Sequence, residues 1–244
     1  MRTSNKLIIL AFIITIVAMI IRDEQLKAAY LTKNYLDPLE EYTALDIKDF
    51  NAIEVTSAEM SNVKIVKGPF KVMVLRTAKD VVHFDLKDGK LHISTDFGKG
   101  DRSNVSYHGD CWVYISCPTL NELRLDSKYT LNDKMVTDTT TEGAWHKCML
   151  RDFNIDSLYI SMDNGCILQL DSNNIRSLKA DMAMNTGSNS SLEIKKENKI
   201  ARATINVLNN GDLNIYSPIP DLNYTMSDSA SITLTGNVAN KAKK

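Results

Sequence analysis

No cysteine precedes Cys111, no two cysteines stand at C-x-x-C spacing, and neither sign of charge dominates, since 29 basic and 30 acidic residues leave a net charge of −1. The missing C-x-x-C pair removes the usual redox or zinc argument. The missing early cysteine removes lipid attachment near the amino terminus. Balanced charge, without a basic stripe interleaved with aromatics, excludes nucleic acid as the expected partner. Catalytic signatures are absent too. His83, His92, His108 and His146 show no H-E-x-x-H spacing, and there is no G-x-S-x-G elbow or P-loop. Gly98-Lys99-Gly100 lacks the remaining glycine and the helix of a dinucleotide site. The sequence therefore offers no catalytic residue, no cofactor-binding residue and no metal ligand.

What is present begins with an unbroken apolar run, Leu7 to Ile21, with Arg2 and Lys6 before it and Arg22, Asp23 and Glu24 after it. As a helix it spans about 22 Å at ~1.5 Å per residue, against a hydrocarbon layer of roughly 30 Å, so a cleaved signal peptide is one reading. No small-x-small site follows it, which favours an uncleaved transmembrane signal anchor over residues 1–24. The preceding basic residues place the amino terminus in the cytoplasm and the rest outside, as a single-pass cell-membrane protein with a periplasmic or surface domain. Residues 25–48, charged and interrupted by Pro38, read as a juxtamembrane stalk, 49–238 as one domain, and 239–244, with Lys241, Lys243 and Lys244, as a solvated basic tail.

The domain carries a repeat of roughly twenty residues. It reads Leu158-x-Ile160-x-Met162, Leu178-x-Ala180-x-Met182, Ala203-x-Ile205-x-Val207 and Leu222-x-Tyr224-x-Met226. Turn residues follow each triplet, such as Asp163-Asn164-Gly165 and Asn209-Asn210-Gly211, and then a second alternating pair: Leu168 and Leu170, Leu192 and Ile194, Leu213 and Ile215, Ile232 and Leu234. Period-two alternation sends one set of side chains to one face, so each unit is strand, turn, strand. One unit cannot bury its own apolar edge, and stacking supplies the missing side. The expected fold is all-β, a single-stranded right-handed parallel β-helix behind one amino-terminal helix. Leu158, Leu178, Ala203 and Leu222 form one interior column, Ile160, Ala180, Ile205 and Tyr224 the next, and Leu123 and Leu125 begin both. An antiparallel meander or sandwich is the alternative.

Earlier strands are marked by Ile53-x-Val55, Val63-x-Ile65, Phe70-x-Val72-x-Val74 and Leu91-x-Ile93, with turns at Gly68-Pro69 and Asp88-Gly89. Gly98 to Asp110 and Asn132 to Gly143 read as longer loops. Cys111 and Cys117 flank a strand too long for a disulfide between them, and Cys117 and Cys166 share inward parity, the pattern of buried thiols.

The run Asp49-Phe50-Asn51-Ala52-Ile53-Glu54-Val55, continuing to Val63–Gly68, and the segment Val113 to Leu125 with its Pro118-Thr119-Leu120, resemble the auto-transporter adhesin head GIN domain family. The resemblance covers most of 49–238. It implies an extracytoplasmic β-helix common in Bacteroidetes-type bacteria, with no assigned catalytic residue or cofactor. The chain departs from that family at Asp126-Ser127-Lys128-Tyr129, where a serine-glycine-rich turn is usual, and in carrying an anchor.

Outward positions define the possible ligand face. Arg124, Tyr159, Lys179, Thr204 and Asn223 form one column, with Asp126, Ser161, Asp181, Asn206 and Thr225 beside it. Such a polar ladder suits a glycan or another envelope protein, and it is also the solvated exterior that any soluble β-solenoid needs. Trp112 and Tyr114 share one strand face, as an aromatic patch or buried under the adjacent loop. The expected function is non-enzymatic adhesion or envelope scaffolding. The alternative, a carbohydrate-active lyase or hydrolase, requires Asp126, Asp181 and Lys179 to converge on a cleft.

Overall fold

The computed structural model describes residues 3–32, 37–99, 111–140 and 147–235. It divides into two compact units, residues 1–42 and 43–244. The first is built on helix α1 (Thr3–Thr32), which is exposed along its apolar run, with Leu7, Phe12 and Met19 among the uncovered side chains. No helix among the described residues is long and apolar enough to cross a membrane. The apolar run fills about half of α1's 30 residues.

In the second unit the first strands are β1 (Tyr42–Leu45), which begins at the junction, β2 (Ala52–Val55), β3 (Val63–Lys67), β4 (Lys71–Leu75), β5 (Val82–Lys87), β6 (Lys90–Thr95), β7 (Val113–Cys117), β8 (Glu122–Leu125), β9 (Lys128–Leu131) and β10 (Lys134–Thr137). A one-turn helix, α2 (Ala58–Ser61), separates β2 from β3. After them come β11 (Cys148–Arg151), β12 (Asn154–Met162), β13 (Ile167–Asp171), β14 (Asn174–Met182), β15 (Ser191–Ile194), β16 (Lys199–Val207), β17 (Asp212–Ile215), β18 (Asp221–Met226) and β19 (Ser231–Leu234). From Cys148 onward the odd-numbered strands lie side by side in a nine-stranded sheet and the even-numbered ones in an eight-stranded sheet, all paired in parallel. Each coil of chain gives one strand to each sheet, and the next coil lies beside it.

The part before Cys148 is built differently. Strand β3 lies between β7 and β11, and β2 between β6 and β8, so the first coil of the chain is flanked by two coils that form later in the sequence. Strands β4 and β5 run antiparallel to β7 and β6, and β9 pairs with β10 as a separate antiparallel hairpin. The β5–β6 turn has Asp88 at φ 51° and Gly89 at φ 73°, the left-handed pair that a two-residue hairpin requires. The all-β class expected from the alternation is observed. In place of one uniformly coiled strand pattern over 49–238, however, the strands form two open, mixed, multi-stranded sheets. Part of the expected loop 132–143 is strand β10; the remainder of both expected loops, His108, His146 and the tail 239–244 lie largely or wholly outside the described residues.

Register fuses the coils into one interior. Leu158, Leu178, Ala203 and Leu222 are in-register partners, as are Ile160, Ala180, Ile205 and Tyr224, as expected. Leu123 and Leu125 join one position along, opposite Ile160 and Met162 rather than Leu158 and Ile160. Period-two alternation cannot distinguish two registers that differ by two residues, because both keep the apolar face inward. Inner coils are dry, with Leu158, Ile160 and Ala180 at 0% exposure. The last coil is not: Tyr224 is 39% and Met226 42% exposed, because no strand lies beyond β18 among the described residues.

Polar groups enter the interior where the chain turns. Asp152 and Ser172 adopt left-handed backbone at the corners after β11 and β13, and the groups released from the ladder there need partners. Buried Asn173 supplies them, donating Nδ2 to the Leu150 carbonyl at 2.9 Å and accepting from the Phe153 amide at 3.0 Å. One coil on, buried Asn198 repeats the arrangement, accepting from the Asn173 amide at 3.0 Å and donating to the Leu170 carbonyl at 2.8 Å. Cys117, Cys148 and Cys166 are buried thiols. Burial pushes the first two up to about 12 and the third well above its ordinary value, so they serve as small apolar side chains.

If neighbouring coils bury one another, the same substitution in one column must cost more in the middle than at the end. Leu158→Ala is expected to destabilise the full chain by about 2–5 kcal/mol and Leu222→Ala, half-buried in the last coil, by less than half as much, read by denaturant unfolding. Equal losses would contradict the shared interior.

Candidate functional site

The outer face of the eight-stranded sheet is a continuous polar wall, because alternation along β8, β12, β14 and β16 leaves every second side chain outward. Its two columns are Glu122, Tyr159, Lys179, Thr204 and Asn223, and Arg124, Ser161, Asp181, Asn206 and Thr225. Glu122 thus takes the place expected for Arg124, the same two-residue shift seen in the interior, and Arg124 takes the place expected for Asp126.

Hydrogen bonds run across the strands. The Tyr159 hydroxyl donates to Asp181 Oδ2 at 2.9 Å, Asn206 Nδ2 donates to Asp181 Oδ1 at 2.6 Å, and Thr225 Oγ1 donates to Asn206 Oδ1 at 2.7 Å. Lys179 lies 3.9 Å from Asp181 and 5.4 Å from the centre of the Tyr159 ring. At the other end Lys90 bridges Glu54 at 3.9 Å and Glu122 at 3.2 Å, Glu122 also holds Arg124, and His92 Nδ1 is 3.4 Å from Glu54. Burial alone would push Glu122 up, yet the hydrogen bonds from Arg124 and Lys90 hold it below the usual carboxylate value.

The structure brings Tyr159, Lys179 and Asp181 together and leaves Asp126 apart. Asp126 lies at the corner after β8, paired with Lys128 at 2.6 Å and hydrogen-bonded to Asn164. Trp112 is 2% exposed, edge-on to Phe97 with ring centres 6.3 Å apart, while Phe97 also meets Tyr129. It belongs to a small aromatic core, and Tyr114 alone of that pair is half-exposed on the sheet. Among the described residues no group of three or more His, Cys, Asp or Glu side chains gathers as a metal would require.

A second site lies on the outer face of the nine-stranded sheet, a groove of about 760 Å³ where β11, β13, β15 and β17 end. Arg151, Gln169, Asp171, Glu193, Lys195 and Tyr216 line it. Arg151 Nε stands 3.1 Å from Asp171, Lys195 pairs with Glu193, and the Lys195 ammonium lies 5.6 Å from the Tyr216 ring centre. Sequence reasoning missed these residues, although for most of them the signal was present: Gln169, Asp171, Glu193, Lys195 and Tyr216 are the outward neighbours of Leu168, Leu170, Ile194 and Ile215, whose inward positions the alternation marks, while Arg151 follows Leu150 one coil earlier, where no alternation was read.

No family model matches the chain, and no curated protein does either. Among solved structures, the chain is similar to a candidate adhesin from Bacteroides fragilis, with a TM-score of 0.52 and 13% identity over 78% of this chain and 94% of that one. A candidate adhesin from Parabacteroides merdae matches at a TM-score of 0.38 and 11% identity, covering 79% of this chain and 95% of that chain. The first likeness establishes a shared fold with a protein of the Bacteroidetes.

Burial, and then the hydrogen bond to Asp181, raise the Tyr159 phenol above its ordinary value. A folded-state pKa above the unfolded one contributes stability that is full below about pH 10 and is lost as pH rises through the folded value. Asp181→Asn is expected to let Tyr159 ionise at lower pH than in the parent, followed by ring-carbon NMR of labelled tyrosine. An unchanged or higher midpoint would contradict the coupling.

Proposed function

We propose that this chain is a tethered, non-enzymatic binding protein of a bacterial cell envelope, serving adhesion or scaffolding, and that its domain is a right-handed parallel β-helix of the head GIN type. The observation that carries this reading is the paired state of the outer wall. Asp181, Glu122 and Glu54 each already face a cation or a donor at the distances given above, so these carboxylates tie the surface into a fixed shape. Repeated parallel coils suit such a role, since they extend a flat wall one strand, about 4.8 Å, at a time. Right-handed winding follows the preference of parallel crossover connections. The fold likeness to a candidate adhesin is in keeping with this reading.

In this reading α1 enters the cell membrane with its exposed apolar run, flanking residues and local thinning closing the gap to the hydrocarbon thickness. The domain stands on the extracytoplasmic side, and its partner there is a glycan or another envelope protein. The full chain in detergent is expected to sediment with isolated envelope fragments and to release no reducing ends or unsaturated sugars from them over a day. Sugar release, or absence of co-sedimentation, would contradict the proposal.

A further inference from the structure

We infer that the groove on the outer face of the nine-stranded sheet is a binding site for a neutral, hydroxyl-rich saccharide. The inference rests on the binding role proposed above and names the site and the chemistry of its ligand.

Charge pairing inside the groove selects the ligand. Arg151 faces Asp171 at 3.1 Å, Lys195 faces Glu193 and Lys196 faces Glu197 at 3.6 Å, so three cations and three carboxylates cancel within it. An anionic polymer would have to separate a cation from its carboxylate and then face that carboxylate at short range, and a cationic ligand meets the mirror problem. A sugar hydroxyl avoids both costs, because it accepts from Arg151 or Lys195 while donating to Asp171 or Glu193. Gln169 adds to this. Its Oε1 accepts from Lys147 at 3.0 Å, so what it offers a ligand is its amide donors.

Tyr216 supplies the apolar part. Its side chain follows β17 in an outward position and is 38% exposed, unlike Ile215 beside it, which is fully buried. An aromatic ring at the surface matches the C–H face of a pyranose, which is the apolar side of an otherwise polar molecule. Lys195 now partly covers the ring at 5.6 Å, and a shift of its flexible stem that keeps the ammonium beside Glu193 uncovers the ring at the cost of that one contact. The volume of about 760 Å³ lies within the range of small-ligand sites.

Affinity electrophoresis of the full chain tests the inference, in a polyoxyethylene detergent whose head group is not a sugar. Gels carry dextran, galactomannan or arabinoxylan as neutral polymers, and polygalacturonate or alginate as anionic ones. Retardation is expected in at least one neutral gel, roughly fivefold weaker for Tyr216→Ala and for Arg151→Ala, and unchanged for Lys79→Ala, an exposed residue between β4 and β5. Circular dichroism checks that each variant is folded, and Tyr216→Phe, which keeps the ring, is expected to retain binding. Retardation by anionic gels alone, equal retardation of Tyr216→Ala, or none in any gel would overturn the inference. Continued sedimentation of Tyr216→Ala with envelope fragments would then show that the binding role survives without this groove.

Discussion

Everything in the second unit depends on parallel backbone register between neighbouring coils. When Leu158 stands opposite Leu178, and Leu178 opposite Ala203, one hydrogen-bonded ladder does two things. It lays the apolar side chains of one coil over those of the next, and it aligns the outward side chains into Tyr159–Lys179 and Ser161–Asp181 columns. Interior and wall are therefore two faces of one constraint. A slip of a single residue would turn both inside out.

The two ends of the stack differ in a way that follows from this constraint. Antiparallel β4 and β5 lie at one end, beside β7 and β6, and interrupt the supply of parallel edges there. At the other end β18 and β19 carry Leu222, Tyr224, Met226, Ile232 and Leu234 only partly covered. Burial falls where neighbours are missing, as expected of a core that no coil owns by itself. Corner asparagines serve the same logic. Asn173 and Asn198 are buried because the turning backbone leaves amides and carbonyls that the ladders cannot reach.

The columns from Leu158 to Tyr224 and the turns between them were legible because period-two alternation repeats about every twenty residues. Strand direction was not, since antiparallel β4 and parallel β3 carry the same alternation. Nor was the order of coils, because nothing in Ile53-x-Val55 announces that it will lie between strands formed by residues 90–95 and 122–125. Trp112 has the parity of Tyr114 yet is buried, since it precedes strand β7 and packs on Phe97 from a distant segment. Of the ligand face, Tyr159, Lys179 and Asp181 were legible as a cluster, whereas Asp126 was misplaced by the two-residue ambiguity of β8. The groove was readable in principle from the positions alternating with Leu170 and Ile194; its charge pairing needed coordinates.

Paired cysteines test the register most directly. Ser157 is the in-register partner of Ser177, and Ser177 of Arg202. Adjacent strands place such partners about 4.8 Å apart, within disulfide reach, and strands two coils apart at roughly twice that. In a Cys111→Ser background, where the remaining thiols are buried, Ser157→Cys with Ser177→Cys is expected to form an intramolecular disulfide under mild oxidation, and Ser157→Cys with Arg202→Cys to remain reduced. Crosslinking of the second pair, or failure of the first in folded protein, would contradict the stacked register and with it the shared interior and both outer faces.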